Sequence, residues 1–211
     1  MSKVLLVTSS PRGKASHSSH IGRTLADQLA SGDPNSTVIV RDLAREPLPH
    51  LGEDFVTALG TPPENRTPAQ SAAVALSDHL VAELFAADVI VIASAMINFG
   101  VSSTLKTYID HITRSGATFR YSASGPEGLV KGKKAYIVRA SGGVYSEGAA
   151  KPFNFQEPYL KHVLGFIGVT DVETIHIEGV AFGPEATDKA LSAAAGRVAT
   201  VRPHQRGAVA A

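Results

Sequence analysis

An uncharged apolar run, Val4 to Val7, leads into a loop that carries Ser9 and Ser10 and then Ser16, His17, Ser18 and Ser19. Hydroxyls grouped in this way, directly after a strand, are suited to holding a phosphate. A strand that is apolar at every residue is buried on both faces, as in a central parallel strand. A helix starting near His17 takes Ser16 as its cap and leaves backbone N–H groups free in its first turn. The helix dipole adds only about 0.3 to 1 kcal/mol per charge, so Ser10, Ser16, Ser18 and backbone amides must supply most of the affinity. The loop has neither the spaced glycines of a dinucleotide fold nor the Gly-Lys-Ser/Thr of a P-loop. Arg12 and Lys14 could add charge but sit in no motif, and a Ser-rich loop taken alone also serves as an ordinary turn and cap.

Composition narrows the chemistry. The 211 residues, 44% of them hydrophobic, suffice for a full core and are read as one domain, residues 1–211. A formal net charge of +1 argues against nucleic acid or an anionic membrane as the main partner and favours a small molecule. With no cysteine, disulfides, thiolate catalysis and cysteine-held clusters are excluded. His17 and His20 lack a third ligand, so no metal site is expected. The opening MSKVLLVTSS has too short an apolar core for a signal peptide, and no window approaches the roughly 20 apolar residues of a membrane helix. The expectation is a cytoplasmic protein.

The remaining elements follow from periodicity and punctuation. Ile21, Leu25 and Leu29 form one stripe of a helix that Gly32 and Pro34 stop, and Thr37 to Val40 reads as a second strand. Arg41 to Thr67, with four prolines, is an irregular excursion with room for one short helix, Glu53 to Leu59. It is either a lid or pocket edge, or a solvated loop. Thr67-Pro68 opens a helix to about Ala86, with Val74, Leu80, Val81, Leu84 and Phe85 turned inward. Val89 to Ala93 is the central strand, and a helix from Val101 to Arg114 is stopped by Gly116. Thr118 to Tyr121 and Gly125 to Gly128 suggest a short ribbon or a loop over the top of the sheet. A strand at Ala135 to Val138, a helix from about Asn154 to Phe166, a strand from Asp171 to Ile177 and a helix from Pro184 to about Val198 follow. Residues 202–211 are expected to fray.

Five strands alternating with helices predict a doubly wound parallel sheet of order 2-1-3-4-5 with helices on both faces. Right-handed crossovers bring the first, third and fourth strands' carboxyl ends together at the switch point, where ligands bind. Three unusual loops, Ser9 to Ser18, Ala95 to Gly100 and Ser141 to Gly143, follow those three strands.

In order along essentially the whole chain stand MSKVLLVTSS, RDLA, LSDHLVAEL, DVIVIASAMINF, TFRYSASGPEGLVKGKKA, SGG, and LGFIGVTDVETIHIEG with FGPE. This series resembles the FMN-dependent NADH azoreductases, also described as NADH:quinone oxidoreductases, of the flavodoxin-like superfamily. The resemblance implies that Ser10, Ser16, His17 and Ser18 line the FMN phosphate, His17 standing where glutamine is often found. It implies that Met96, Ile97, Asn98 and Phe99 run beside the ribityl chain and isoalloxazine. Ser141, Gly142 and Gly143 would pass beneath the pyrimidine end, where a residue without Cβ allows close approach. It implies a two-step, ping-pong transfer from NADH or NADPH, through the flavin, to a quinone or azo compound. It further implies a homodimer with the flavin at the interface, and a substrate pocket that includes Tyr145 and to which Phe119, Tyr121 and Phe166 contribute from the partner. Taken alone, those aromatics read as core.

Three departures bear on substrate range. Ala95-Met96-Ile97-Asn98-Phe99 stands where the family commonly has Pro-Met-Tyr-Asn-Phe, Tyr145 stands near where relatives can carry histidine, and Gly60 replaces an arginine of some relatives. The rival readings are a flavodoxin-type electron carrier without its own turnover and a non-redox protein that kept the fold. Carriers tend to be small and strongly acidic, which this chain is not, and the serines and glycines a redox role needs are present.

Overall fold

The uncharged runs become the middle of a sheet because nothing in them tolerates water on either side. In the computed structural model, which describes residues 2–204, the order is β1 (Lys3–Thr8), α1 (His17–Ala30), β2 (Thr37–Asp42), α2 (Glu53–Leu59), α3 (Pro68–Ala86), β3 (Val89–Ala95), α4 (Ser103–Ile112), β4 (Phe119–Ser122), β5 (Gly125–Gly128), β6 (Lys134–Ala140), α5 (Gln156–Ile167), β7 (Asp171–Ile177) and α6 (Pro184–Thr200). Five strands form one parallel sheet in the order β2-β1-β3-β6-β7. With the antiparallel ribbon β4–β5 set aside, this is the expected order 2-1-3-4-5.

Alternation along the strands divides the core into two clusters. Leu5, Val7, Ile90, Ile92, Ala135 and Ile137 pack with side chains of α3, α4 and α5. Val4, Leu6, Val89, Val91, Ala93, Tyr136 and Val138 pack with Ile21, Leu25 and Leu29 of α1 and Ala194 and Val198 of α6. Each large aliphatic side chain buried in this way contributes about 1.5 to 3 kcal/mol. The helix starts follow their caps: Thr67 and Gln70 form a reciprocal capping box on α3, and Ser102 accepts the Leu105 amide at 3.2 Å.

Three expectations need correction. Phe85 is 41% exposed: the inward stripe of α3 runs through Val74, Ser77, Leu80, Val81 and Leu84, and Phe85 lies about 100° further round the helix. The excursion before α3 is not a free solvated loop. Phe55 and Ala58 are buried, His111 Nε2 lies 2.9 Å from the Pro49 carbonyl, and Arg66 Nε donates to the carbonyls of Ala58 and Thr61. These contacts fold it against α3 and α4, where it walls a cavity of about 280 Å³ with Ala73, Leu76 and His111. Residues 202–204, expected to fray, are held: the His204 amide donates to the Leu29 carbonyl at 3.0 Å, and Pro203 packs over Gly32. The rest of that tail lies outside the described residues.

The ribbon is seated by a contact between two glycines. A Cβ on Gly128 would lie 2.2 Å from the backbone nitrogen of Gly168, the left-handed cap of α5. Backbone cannot yield as a side chain can, so a Gly128→Ala variant is expected to lose about 3 kcal/mol or more of stability. A urea midpoint equal to that of the parent would show that ribbon and helix cap separate freely.

Candidate cofactor site

The first loop is organised by its own hydroxyls. Ser16 caps α1, accepting the Ser19 amide at 3.1 Å, and its Oγ lies 3.3 Å from that of Ser18. Ser10, Ser16 and Ser18 are buried, and Ser10 Oγ accepts the Arg12 amide at 3.4 Å. The amides of His17 and Ser18 stand in the first turn, where a helix offers no acceptor. Gly22 brings α1 close to the sheet, since a Cβ there would meet that of Ala93 at 2.6 Å. Hydroxyls and free amides are thus gathered at the carboxyl end of β1.

The second loop stores strain. Ile97 and Gly100 close a tight turn by mutual N–H to carbonyl bonds of 3.0 Å, with Asn98 at φ 46° and Phe99 at φ 69°. A left-handed L-residue costs about 1 to 2 kcal/mol, less for Asn, and such outliers point to function. In the third loop the carbonyls of Ser141, Gly142 and Gly143 accept the amides of Val180, Ala181 and Gly179 at 3.3, 3.0 and 3.2 Å. Ser141 Oγ donates to the Gly143 carbonyl at 2.9 Å. With those carbonyls committed to the turn after β7, the amides of Gly142 and Gly143 make no hydrogen bond among the described residues. They are donors for a polar edge brought against them.

The three loops enclose common space. A cavity of about 320 Å³ is lined by Ser10, Ser16, His17, Ser18, Met96, Ile97, Ser141 and Gly142, together with Arg12, Ala140, Val180 and Ala181. A second, of about 230 Å³, shares Met96, Ser141 and Gly142 and adds Asn98, Phe99, Gly143 and Tyr145. All eleven residues expected around the cofactor therefore line one or the other. Sequence reading missed Ala140, Val180 and Ala181, which carry no chemical signature; the signal available was Gly179 directly after the last strand. An open groove of about 840 Å³ starts at Ile97 and Asn98 and runs along Val101, Phe155 and Tyr159.

Of the residues expected at the substrate pocket, Tyr145 lies at the cavity and edge-on to Phe99, with ring centroids 6.1 Å apart. Phe119, Tyr121 and Phe166 form a cluster of their own. Phe119 is 4.5 Å from Phe166 and 5.6 Å from Tyr121, and Tyr121 is 72% exposed. None of the three lines either cavity within one chain. Among the described residues no group of three or more His, Cys, Asp or Glu is placed to hold a metal ion, and no helix is long and apolar enough to cross a membrane.

Residues 2–201 match the family model described as flavodoxin-like fold. An FMN-dependent NADH:quinone oxidoreductase of Mesorhizobium japonicum is 54% identical over 208 residues, covering 99% of this chain and 99% of that protein. The chain belongs to this flavodoxin-like NADH:quinone oxidoreductase family. FMN-dependent NADH:quinone oxidoreductase 1 of Rhizobium etli is 57% identical over 198 residues, covering 94% of this chain and 97% of that protein. A crystal structure of azoreductase from Bacillus anthracis str. Sterne superposes with a TM-score of 0.86 at 32% identity, covering 94% of this chain and 97% of that one.

In this member of the oxidoreductase family the loops rest on a buried polar layer that sequence reading did not find. Ser9 Oγ donates to Ser94 Oγ at 3.0 Å, and Gln156 Nε2 donates to Ser94 Oγ and to the Ala95 carbonyl. Arg139, fully buried, is paired with Glu178 and lies 3.7 Å from Glu157. Glu157 is also held by His176 and Lys161, each at 2.8 Å, and Glu178 accepts the Tyr145 amide at 2.8 Å and the Ser146 hydroxyl. The available signal was an arginine inside the otherwise uncharged Ala135–Ala140.

Burial alone pushes both carboxyls up toward the neutral form, but their partners outweigh it. Hydrogen bonds from His176 and Lys161 hold Glu157 well below the usual carboxylate range. The Ser146 hydroxyl, the Tyr145 amide and Arg139 hold the Glu178 carboxyl below its ordinary value. A folded value below the unfolded one gives stability that is present above the ordinary 4.5 and is lost as pH falls below it. Between about pH 5 and pH 3 the urea midpoint is expected to fall less in a Glu157→Gln variant than in the parent. Equal slopes would mean that Glu157 titrates alike folded and unfolded.

Proposed function

We propose that this chain is an FMN-dependent oxidoreductase that uses NADH, or NADPH, to reduce quinones and azo compounds in a ping-pong reaction. The observation that carries this reading is the convergence of the three loops, with their uncommitted donors, on adjoining cavities. The close relatives are named FMN-dependent NADH:quinone oxidoreductases, and the structural neighbour at 32% identity is an azoreductase. We read the chain as one domain with helices on both faces of its sheet, acting in the cytoplasm as a homodimer, with neither nucleic acid nor membrane as a partner.

The residues present fit the cofactor. Ser10, Ser16, Ser18 and the first-turn amides of α1 are hydrogen-bond donors with the dipole's positive end behind them, as a phosphate monoester requires. His17 and Arg12 flank them. Gly142 and Gly143 offer backbone N–H groups to the pyrimidine edge, and at each an added Cβ would already meet a neighbour at 3.2 Å. The strained turn at Asn98 and Phe99 presents backbone and ring to the flavin's side.

When bound, FMN supplies a two-electron acceptor and donor at its ring nitrogen N5. The chain's part is positioning. Met96, Ile97, Asn98 and Phe99 hold the ring's flank, and the third loop's amides stabilise negative charge at its far edge. Ile97 and the open groove beside it leave an apolar place for NADH and then for the acceptor. A carrier has no use for such a groove. In the homodimer the partner's Tyr121, exposed beside Phe119 and Phe166, completes the substrate pocket.

The test is an anaerobic visible spectrum of the FMN-loaded protein before and after NADH, then after menadione. Bleaching by NADH and recovery with menadione establish both half-reactions. Yellow protein that NADH leaves unbleached would favour a carrier, and protein that takes up no FMN would overturn the site.

A further inference from the structure

Arg139 is the largest fully buried side chain of the described residues, yet it lines neither cavity. It lies near the end of β6, in register with Ser94 of β3 on one side and His176 of β7 on the other. The three therefore face the same side of the sheet, directly beneath the loops. Its guanidinium is linked to both ends of the segment Ser141–Ser146, to Ser141 directly and to Tyr145 and Ser146 through Glu178. Nη1 is 3.5 Å from the Oγ of Ser141, a residue that lines both cavities. Nη2 donates to Glu178, which in turn accepts the Tyr145 amide and the Ser146 hydroxyl. Nε has no hydrogen-bond partner.

A role in fold stability accounts poorly for this arrangement. Burying an ion pair costs desolvation that its attraction barely repays, and apolar replacements are often neutral or better. Nε faces Glu157 at 3.7 Å, too far for a hydrogen bond to offset its burial. What the arrangement does provide is a fixed positive charge one residue away from the cavity, in a setting that water does not screen.

We propose that Arg139 is a positioning residue that holds the Ser141–Ser146 loop and, through its charge, favours reduced over oxidised FMN; this rests on the FMN reading above. The sign follows from the local charges. Arg139 and Lys161 balance Glu157 and Glu178 when His176 is neutral. Reduction of a flavin places added negative charge over its pyrimidine end, beside the third loop. Removing Arg139 leaves one uncompensated negative charge behind that loop and disfavours the reduced form. Removing the charge of Glu178 leaves one uncompensated positive charge and favours it.

The experiment compares the parent with Arg139→Met, Arg139→Lys and Glu178→Gln, all loaded with FMN. Oxidised-FMN affinity is read from flavin fluorescence, and the midpoint potential from anaerobic titration against a reference dye. In Arg139→Met, reduced FMN is expected to lose about tenfold in affinity relative to oxidised, which lowers the two-electron potential by about 30 mV. Glu178→Gln, which keeps an acceptor for the Tyr145 amide, raises it by a similar amount. Arg139→Lys stays near the parent. Potentials that do not move, or that move in the same direction in the Met and Gln variants, overturn the proposal whatever happens to oxidised-FMN affinity. If Arg139→Met does not fold, the sign in Glu178→Gln decides: a rise supports the proposal, and no change or a fall overturns it. A parent protein that takes up no FMN overturns the function reading instead, and the proposal with it.

Discussion

Replacing Ser16 and Ser18 together by alanine is expected to weaken FMN binding by at least about a hundredfold. Each hydroxyl offers a hydrogen bond to a charged oxygen, and such bonds contribute about 1.5 to 3 kcal/mol. The pair acts as a unit, since the two oxygens lie 3.3 Å apart and both side chains are buried. Their losses are therefore coupled and do not simply add. A second effect must be separated from the first: Ser16 also caps α1, and loss of a cap costs about 1 kcal/mol of stability. Ser16→Asp separates them. It keeps a capping oxygen but brings a negative charge to the phosphate, so it holds the melting temperature near the parent while losing FMN. Flavin affinity unchanged in the double variant would mean that the phosphate lies elsewhere, with the serines serving only as turn and cap.

The parts of this site that were legible in the sequence are those whose cause is local. Val4 to Val7 and Val89 to Ala93 are apolar at every residue, and only a strand buried on both faces needs that. Ser16 and Thr67 each precede a helix and accept a first-turn amide, so both starts were legible from three or four residues. Once the strands were counted, the topology rule brought the three loops to one edge without any knowledge of side-chain contacts. The parts that escaped depend on register between distant segments. Arg139 and Glu178 are 39 residues apart and meet because β6 and β7 pair in register. Neither residue's type announces the other. Val180 and Ala181 line the cavity through their place after β7, and their chemistry says nothing of it. The left-handed conformation of Phe99 was hidden for the opposite reason, since sequence rules assign positive φ to glycine and asparagine first. The excursion before α3 misled because prolines announce irregularity but not direction; His50 and Pro49 tie it to Thr107 and His111 of α4.

Gly142→Val carries the other large effect, because this glycine lines both cavities. It does not adopt a positive φ, so the backbone itself accepts a branched residue. Space is the constraint. An added Cβ would stand 3.2 Å from that of Ala181, and the Ala181 amide is tied to the Gly142 carbonyl at 3.0 Å, so the two segments cannot readily part. The γ-methyls then have the cavity as their outlet, where the flavin's pyrimidine edge belongs. Fold stability is expected to fall by about 1 kcal/mol, the low end of the cost of overpacking, because the side is open to a cavity. FMN affinity is expected to fall by about a hundredfold, or about 2.7 kcal/mol. The two readings separate in a melting curve of the FMN-free protein and a flavin titration. A variant that melts several degrees early yet binds FMN as tightly as the parent would show that Gly142 serves the contact with Ala181. One that melts normally and stays colourless would place the ring against the backbone of the third loop.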